Sequence, residues 1–467
     1  MESDAGGEHS LVKTTKGKVF SAGACGLGWC RTLEDFGASL FGWRAVPLPE
    51  PARSILGSYY HNLAIGASTG KLYAWGCGTF TGGGRDGVIP ALGLPPAATS
   101  HVVEVEDVGG EPHEVALPAG QSATSLAAGA FHSVVLTQTG GVLTFGAAQL
   151  GQLGRFSALT SSIRDSSGLP VDPRPLPVEG LPDPRFDPPV AIGAGFYNTL
   201  VACRSGALYC SGENQNGQCG VAPVPSTATT TPPLPAAAAA ERAPDNLPVM
   251  TRCSALGKDL KAVAAAGGYC HTLVLAEDGS VVSMGCADDG QRGDGLNGDD
   301  SNRPTISKVV LPGNKRATAV ACGANHSVVL ASDGTAYAFG SNEYGQCGGS
   351  NSFPAINDEA RADGSDTPTV QLSPLPINMQ NVGPNSKIVA VSAGYAHTVL
   401  RDDQGNVYTC GQNENGQLGI GEVAAKDPSA EAKTPGLVFA SSWRSETQGN
   451  GAAENQANGN VTYDFKF

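Results

Sequence analysis

Short apolar runs separated by glycine-centred turns recur along most of the chain. In residues 271–285, apolar positions at 273–275 and 281–282 flank the turn Glu-Asp-Gly-Ser. A tight two-residue hairpin needs a positive φ, which glycine adopts without a clash of a Cβ atom. The pattern therefore predicts two short antiparallel strands joined at Gly279.

The same unit occurs seven times, which identifies it as a repeat. In six units the turn glycine follows the first residue by eight positions and the closing glycine by fourteen, while the unit at His61 has one extra residue. A spacing this regular indicates a repeated structural element and not one scattered active site. The seven units begin at His9, His61, His132, Asn198, His271, His326 and His397.

The second strand of each unit is apolar on both faces. The positions four and three before the closing glycine are both apolar, as in Leu208/Tyr209 and Ala336/Tyr337. Since adjacent residues of a strand point to opposite faces, both faces of each sheet must be covered. A two-layer sandwich covers one face of each sheet, whereas sheets arranged radially around an axis cover both. The pattern therefore predicts a β-propeller.

Two glycine-containing motifs flank the unit. Most closing glycines continue into a turn ending in Gly-Gln-x-Gly, as in 146–154 and 411–419, and small residues precede the histidine, as in 127–132. These motifs resemble the repeats of the regulator-of-chromosome-condensation family over about residues 6–419. The resemblance implies an all-β fold, a seven-bladed β-propeller of four-stranded blades with one blade per repeat.

The first repeat begins so close to the start of the chain that its blade needs strands from elsewhere. Residues 434–445 resemble the segment before each histidine, so we expect them to complete the blade begun by 9–31. This pairing of N- and C-terminal segments would close the ring and remove open sheet edges. The propeller is then predicted to span 1–445, and 446–467 to form a C-terminal tail or edge strand.

Three insertions follow Gly-Gln-x-Gly turns, at residues 155–190, 221–250 and 349–386. The first two are rich in proline and small residues, and the third is polar with acidic residues and proline. Such compositions bury little surface, so we expect solvated loops that are candidates for contacting a partner.

Composition and charge restrict the class of partner. The formal net charge is −14 and no dense Lys/Arg block occurs, which argues against nucleic acid or an anionic membrane and favours a protein with a basic or neutral surface. No apolar run is long enough to span a bilayer, and the N-terminus has no signal-peptide pattern. We therefore expect an intracellular, cytoplasmic protein whose twelve cysteines are free and buried.

The histidines are predicted to be structural. They are distributed one per repeat, and Asn198 replaces one of them, which suits a hydrogen-bonding role better than proton transfer. We expect each imidazole to be hydrogen-bonded to neighbouring backbone. No hydrolase, zinc-protease or nucleotide-binding motif occurs in a suitable context. We therefore predict that the chain is not an enzyme and that it has no cofactor, no metal and no catalytic residues.

Two sets of residues are candidates for partner binding. Acidic residues lie at the turns after the closing glycines of the last four repeats, where they would attract a basic partner if the turns share one rim. Tryptophan–arginine pairs follow the first turn and are typical of binding hot spots. Alternatively, the acidic residues are polar only because they lie in solvated turns, and the tryptophans are ordinary packing residues. The candidates are Glu213, Asp288, Asp289, Glu343, Glu414, Trp29, Arg31, Trp43 and Arg44.

These observations favour a non-enzymatic scaffold for protein–protein interaction, a propeller subunit docked in a larger intracellular assembly. Ciliary and cytoskeletal assemblies are candidate locations because members of the resembled family act there. The alternative that the resemblance implies is a guanine-nucleotide exchange factor for a Ran-like small GTPase. Light sensing, found in plant relatives, is disfavoured because their Gly-Trp-Arg-His-Thr runs are replaced by sequences such as GYCH at 268–271.

Overall fold

A computed structural model describes residues 1–24, 39–76, 112–159, 161, 163, 169–221, 245–296, 306–349, 370–379, 386–420 and 432–439. Their strands form seven antiparallel sheets of four strands, and within each sheet the strands are adjacent in chain order. The predicted seven-bladed β-propeller is therefore confirmed.

The blades are numbered 1 to 7 in chain order. Blades 1 to 4 contain β1 (Glu2–Ala5), β2 (His9–Lys13), β3 (Val19–Ala24) and β4 (Ser39–Val46); β5 (Ala52–Gly57), β6 (His61–Gly66), β7 (Leu72–Gly76) and β8 (His113–Val115); β9 (Ala123–Ala128), β10 (His132–Thr137), β11 (Val142–Ala147) and β12 (Val171–Pro177); and β13 (Pro189–Ala194), β14 (Asn198–Cys203), β15 (Leu208–Glu213) and β16 (Asn246–Arg252). Blades 5 to 7 contain β17 (Ala262–Gly267), β18 (His271–Ala276), β19 (Val281–Gly285) and β20 (Ser307–Val309); β21 (Ala317–Cys322), β22 (His326–Ala331), β23 (Ala336–Ser341) and β24 (Val370–Pro376); and β25 (Ile388–Ala393), β26 (His397–Asp402), β27 (Val407–Gly411) and β28 (Ala432–Phe439). The described residues also include a short helix, α1 (Phe156–Leu159), and a 3₁₀ turn at Pro312–Asn314.

The first strands of the blades line the propeller axis. Those of neighbouring blades pack against each other all around the ring, and together they surround a central cavity of about 250 Å³. Small residues such as Ala127, Ala194 and Ala265 line this cavity, which lets the seven sheets converge without steric conflict.

The apolar core lies between blades. Trp75 and Tyr73 of blade 2 pack with Leu11 and Val19 of blade 1, and Trp75 is fully buried. All five residues of β19 are buried, as expected for a sheet covered on both faces. The hairpin glycines have the predicted positive φ, for example 80° at Gly279.

The ring closes where blades 1 and 7 meet, but the strand assignment differs from the predicted one. The innermost strand of blade 1 is β1, which pairs with β2, and β28 pairs with β27 as the fourth strand of blade 7. The assignment of 434–445 to the blade of 9–31 was therefore wrong for its described part. The sequence of β1, Glu-Ser-Asp-Ala, has no apolar alternation by which it could have been recognised. Residues 440–445 and the predicted tail 446–467 lie outside the described residues.

Asp4 connects the blades at this closure. Its carboxylate accepts hydrogen bonds from the Gly57 amide of blade 2 at 2.9 Å and from the Ser392 hydroxyl of blade 7. Burial raises the pKa of Asp4 to about 6, despite these donors. Blades 2 and 7 are thus both joined to blade 1 through one partly buried carboxyl group.

The insertions do not consist only of loops. Residues 155–190 contain α1 and β12, residues 349–386 contain β24, and β16 begins within 221–250. The expectation of solvated loops was wrong for these segments, because they supply the outermost strands. Proline is tolerated there, since an edge strand leaves part of its amide groups unpaired. The other parts of 221–250 and 349–386 lie largely outside the described residues.

Candidate partner-binding face

The loops between first and second strands and the turns after third strands lie at the same end of each blade, here called the mouth face. The opposite end, with the glycine hairpins, is called the hairpin face. In blade 4 the amide of Glu213, the last residue before the turn, donates to the Tyr197 carbonyl, in the loop, at 3.0 Å. The equivalent bond joins Gln412 to Ala396 at 2.9 Å in blade 7. These bonds place the two kinds of segment side by side.

The six repeat histidines connect adjacent blades and do not converge on one site. The Nε2 atom of each lies within hydrogen-bonding distance of a polar side chain in the next blade, and that side chain immediately follows the His or Asn of its own repeat. The pairs are His9–Asn62, His61–Ser133, His132–Thr199, His271–Ser327, His326–Thr398 and His397–Ser10, at 2.5–3.1 Å. The structural role is therefore supported, and the side-chain partners belong to the next blade, which the sequence did not indicate.

The hydroxyl partners also fix the histidine tautomer. Thr199 Oγ1 donates its hydrogen to the carbonyl oxygen of Gln152, at 2.7 Å, and Ser327 Oγ does the same to Gln291, at 2.8 Å. A hydroxyl has one hydrogen to donate, so the imidazole Nε2 must be the donor toward it. At four junctions, those of His132, His271, His326 and His397, the histidine, the hydroxyl and the glutamine carbonyl of the Gly-Gln-x-Gly turn thus form one chain.

These imidazoles are electrically neutral near pH 7. Burial lowers the pKa to about 3 for His61, His132, His271 and His397, and to about 4 for His9 and His326. Because ionisation would place an uncompensated charge in the interior, these rings are unsuited to acid–base exchange with solvent at neutral pH.

Blade 4 departs from this arrangement. Asn198 replaces histidine, and its amide nitrogen lies 3.7 Å from Cys210 Sγ and 3.9 Å from Cys219 Sγ. Thr272, at the hydroxyl position of blade 5, is fully buried, and its Oγ1 has no hydrogen-bond partner among the described residues. The shorter asparagine side chain leaves this junction without the link that the others have.

The predicted acidic residues all lie on the mouth face. Asp288, Glu343 and Glu414 are exposed, whereas Glu213 and Asp289 are partly buried. Glu8, which was not among the predicted residues, lies on the same face, in the loop that precedes His9. The shared rim that was assumed for these turns is thus present in the structure.

Carboxylates of neighbouring blades are close enough to affect one another. Partial burial raises the pKa of Glu8, with the Glu414 carboxylate adding to the effect. Burial also raises the pKa of Asp289, with smaller contributions from Asp288 and Glu343. Raised pKa values indicate that these carboxylates lack compensating positive charge.

An aromatic cluster occupies the centre of the mouth face and was not predicted. The ring centroids of Tyr59 and Phe196 are 4.4 Å apart, those of Phe196 and Tyr269 are 4.9 Å apart, and those of Tyr59 and Tyr395 are 6.2 Å apart. All four residues stand two positions before the repeat histidine or asparagine. That shared position was a usable signal, but it does not show that rings from different blades meet.

Of the two predicted tryptophan–arginine pairs, the structure describes one. Trp43 is partly buried and packs with Val12 and Val399 between blades 1 and 7, while Arg44 beside it is exposed. Trp29 and Arg31 lie outside the described residues. A role for these residues in partner binding stays a prediction.

Four of the described cysteines are paired, which corrects the expectation that all are free. Disulfides join Cys210 to Cys219 and Cys270 to Cys286, with Cα atoms 5.5 and 5.6 Å apart. In each pair the later cysteine belongs to the segment after the closing glycine, which folds back against its own blade. The free cysteines among the described residues are Cys203, Cys253, Cys322, Cys347 and Cys410.

The described part of the chain contains neither a metal-binding cluster nor a membrane-spanning helix. No group of three or more His, Cys, Asp or Glu side chains there could hold a metal ion. No helix there is long and apolar enough to cross a membrane.

Comparison with protein-family models identifies the repeats. A model described as "Regulator of chromosome condensation (RCC1) repeat" matches residues 123–152, 190–218, 261–291, 317–346 and 388–417, and a second model of that description matches 278–330, 333–400 and 404–441. The chain belongs to the regulator of chromosome condensation repeat family. The resemblance seen in the repeats is thereby confirmed.

Individual relatives cover much of the chain. The ultraviolet-B receptor UVR8 of Arabidopsis thaliana is 26% identical over 78% of this chain and 65% of its own length. The mouse regulator of chromosome condensation is 25% identical over 66% of this chain and 64% of its own length. The chain thus spans slightly less than two thirds of these relatives.

Solved structures of the family show the same fold. Prp20p of Saccharomyces cerevisiae, described with its binding properties to Gsp1p and histones, superposes with a TM-score of 0.67 at 19% identity, covering 92% of this chain and 88% of its own. This likeness supports the propeller fold of the chain.

Proposed function

We propose that this chain is a non-enzymatic interaction scaffold, a propeller subunit of a larger intracellular assembly, and that its mouth face binds a basic surface of a protein partner. The proposal includes a cytoplasmic location, with ciliary and cytoskeletal assemblies as candidate settings. It also includes a propeller spanning 1–445 with the tail 446–467, and secondary contacts by the Trp29/Arg31 and Trp43/Arg44 pairs.

The observation that carries the proposal is that several carboxylates on the mouth face form no ion pair within the described residues, whereas several carboxylates on the hairpin face do. Glu8, Glu213 and Glu414 on the mouth face form no ion pair with any described lysine or arginine. On the hairpin face, by contrast, acidic and basic side chains are paired, as in Lys71–Glu114, Lys261–Glu277 and Lys315–Asp333. An acidic rim without internal neutralisation attracts a basic partner and accelerates its association.

Site-specific photo-crosslinking in cells tests this proposal. A photoreactive residue at position 213 or 414 should crosslink to a protein with a basic surface, whereas the same residue at position 277 on the hairpin face should not. The combined changes Glu213→Gln and Glu414→Gln should weaken the complex, and the matched change Glu277→Gln should leave it intact. Crosslinks confined to position 277, or a complex indifferent to the mouth-face changes, would refute the proposal.

Guanine-nucleotide exchange on a Ran-like small GTPase is the second candidate. It is supported by the similarity to the mouse regulator and to Prp20p. Release of a fluorescent guanine nucleotide from the loaded GTPase measures the activity directly. An unchanged release rate at saturating propeller would eliminate this candidate and leave the scaffold proposal standing.

A further inference from the structure

We propose that the aromatic cluster at the centre of the mouth face binds an arginine side chain presented by a basic protein segment. The cluster consists of Tyr59, Phe196, Tyr269 and Tyr395. This inference rests on the proposed function, because it names the chemical group by which the partner would be held.

The cluster extends across the propeller axis. Tyr395 belongs to blade 7, Tyr59 to blade 2, Phe196 to blade 4 and Tyr269 to blade 5. The contacts of Tyr59 with Phe196 and with Tyr395 therefore join blades that are not neighbours. Residues of such blades meet only above the axis, so the rings form the centre of the mouth face.

The rings differ in exposure in a way that suits a binding surface. Phe196 is buried, with 7% of its surface exposed, whereas Tyr269 and Tyr395 are exposed by 48% and 47%. The interplanar angles of the three contacts are 62° to 88°, so the rings meet edge to face. Phe196 thus supports Tyr269, and Tyr59 supports Tyr395. The surfaces of Tyr269 and Tyr395 remain available to a partner.

Carboxylates border the cluster. The Tyr395 amide donates to the carbonyl of Gly7, the residue before Glu8, at 3.1 Å. On the other side, Tyr197 is adjacent in sequence to Phe196, and its pKa is raised by burial with contributions from Tyr269 and Glu213. The backbone partner of Tyr395 is thus next to Glu8 in sequence, and Glu213 and Tyr269 both act on Tyr197.

This combination selects a cation over an apolar or anionic group. Aromatic faces carry negative electrostatic potential and attract cations, and the attraction grows when water is displaced. A guanidinium is planar and weakly hydrated, so it can stack on a tyrosine while its N–H groups reach a carboxylate. Arginine satisfies both features of the mouth, whereas lysine provides a more strongly hydrated point charge.

A peptide-display selection on the full-length chain at physiological ionic strength tests the proposal. We expect basic peptides with one invariant arginine. In fluorescence anisotropy with a selected peptide, replacing that arginine by the neutral isostere citrulline should weaken binding roughly tenfold or more, and replacing it by lysine should weaken it less. Failure to enrich arginine, or equal binding of the citrulline peptide, would overturn the proposal.

Protein variants locate the site. Tyr269→Ala with Tyr395→Ala should weaken binding roughly fivefold to thirtyfold, and Tyr269→Phe with Tyr395→Phe should retain most of it because the rings remain. Phe186→Ala is the matched control, since Phe186 is 84% exposed and lies outside the mouth face. Retention of affinity by the double-alanine variant would refute the aromatic site.

The same assay separates this inference from the function on which it rests. If Glu213→Gln with Glu414→Gln weakens binding while the double-alanine variant does not, the acidic mouth face binds the partner and the aromatic site is wrong. If neither pair of changes has an effect, both proposals fail. Circular dichroism of each variant confirms that the propeller is folded.

Discussion

Acidification from pH 7 to pH 5 should unfold this propeller through its six buried histidines. In the unfolded chain a histidine has a pKa of about 6.5, whereas burial lowers the pKa to about 3 or 4 in the folded protein. Below pH 6.5 the unfolded state therefore binds protons that the native state does not. Since the folded pKa is depressed, stability is present above pH 6.5 and is lost as the pH falls toward 4.

The size of the loss follows from the gap between these pKa values. A pH of 5 is about 1.5 units below the pKa of a histidine in the unfolded chain. Protonation there lowers the free energy of unfolding by about 2 kcal/mol per residue. Six residues give roughly 12 kcal/mol, comparable with the whole stability of a typical domain. Asp4 opposes this effect because its raised pKa, about 6, favours the native state on acidification, by about 1 kcal/mol.

Equilibrium unfolding in urea at a series of pH values measures this dependence. Between pH 6 and pH 5 the slope of the free energy of unfolding should correspond to an uptake of roughly four to five protons. The variant His132→Asn, which copies the residue at the equivalent position of blade 4, should lower the uptake by about one proton. A stability that is constant between pH 7 and pH 5 would refute the reasoning.

The ¹⁵N chemical shifts of the imidazoles provide an independent check that does not require reversible unfolding. In the native protein the six rings should remain neutral, with the hydrogen on Nε2, down to about pH 5. Charged rings in the native state at pH 6, or hydrogens on Nδ1, would contradict the proposed chain from histidine to hydroxyl to carbonyl.

Two further predictions concern the junctions between blades. Thr199→Val should lower the free energy of unfolding by roughly 2–3 kcal/mol, since it removes the partner of both His132 and a buried carbonyl. Thr272→Val should be neutral or stabilising, because the Thr272 hydroxyl has no partner among the described residues. Equal urea midpoints for the two variants would contradict this account. Gly129→Ala should lower the free energy of unfolding by about 3 kcal/mol, since the new Cβ would lie 2.3 Å from His132 Cε1. Gly42→Ala is the control and should change the thermal midpoint little, because no atom lies within 4 Å of the position of its Cβ. A tolerated Gly129→Ala would show that the imidazole is not held against this glycine.

The local architecture was predictable from sequence because it depends on interactions within one repeat. The hairpin at Gly279 and the doubly buried strand β19 follow from a glycine at a fixed spacing and from two adjacent apolar positions. Both signals lie within fifteen residues and recur seven times. β1 was missed because its four residues carry no such pattern, and only the partner strand β2 identifies it as a strand.

The contacts that define the candidate site were decided by the tertiary structure. The hydroxyl partner of His132 lies 67 residues away in the next blade, and Tyr59 meets Phe196 from a blade that is not adjacent. In the sequence, each type of residue has a fixed position within its repeat, and that position sets the end of the blade on which the residue lies. Which of them touch depends on how seven sheets converge around one axis, and that geometry exists only once the ring has closed.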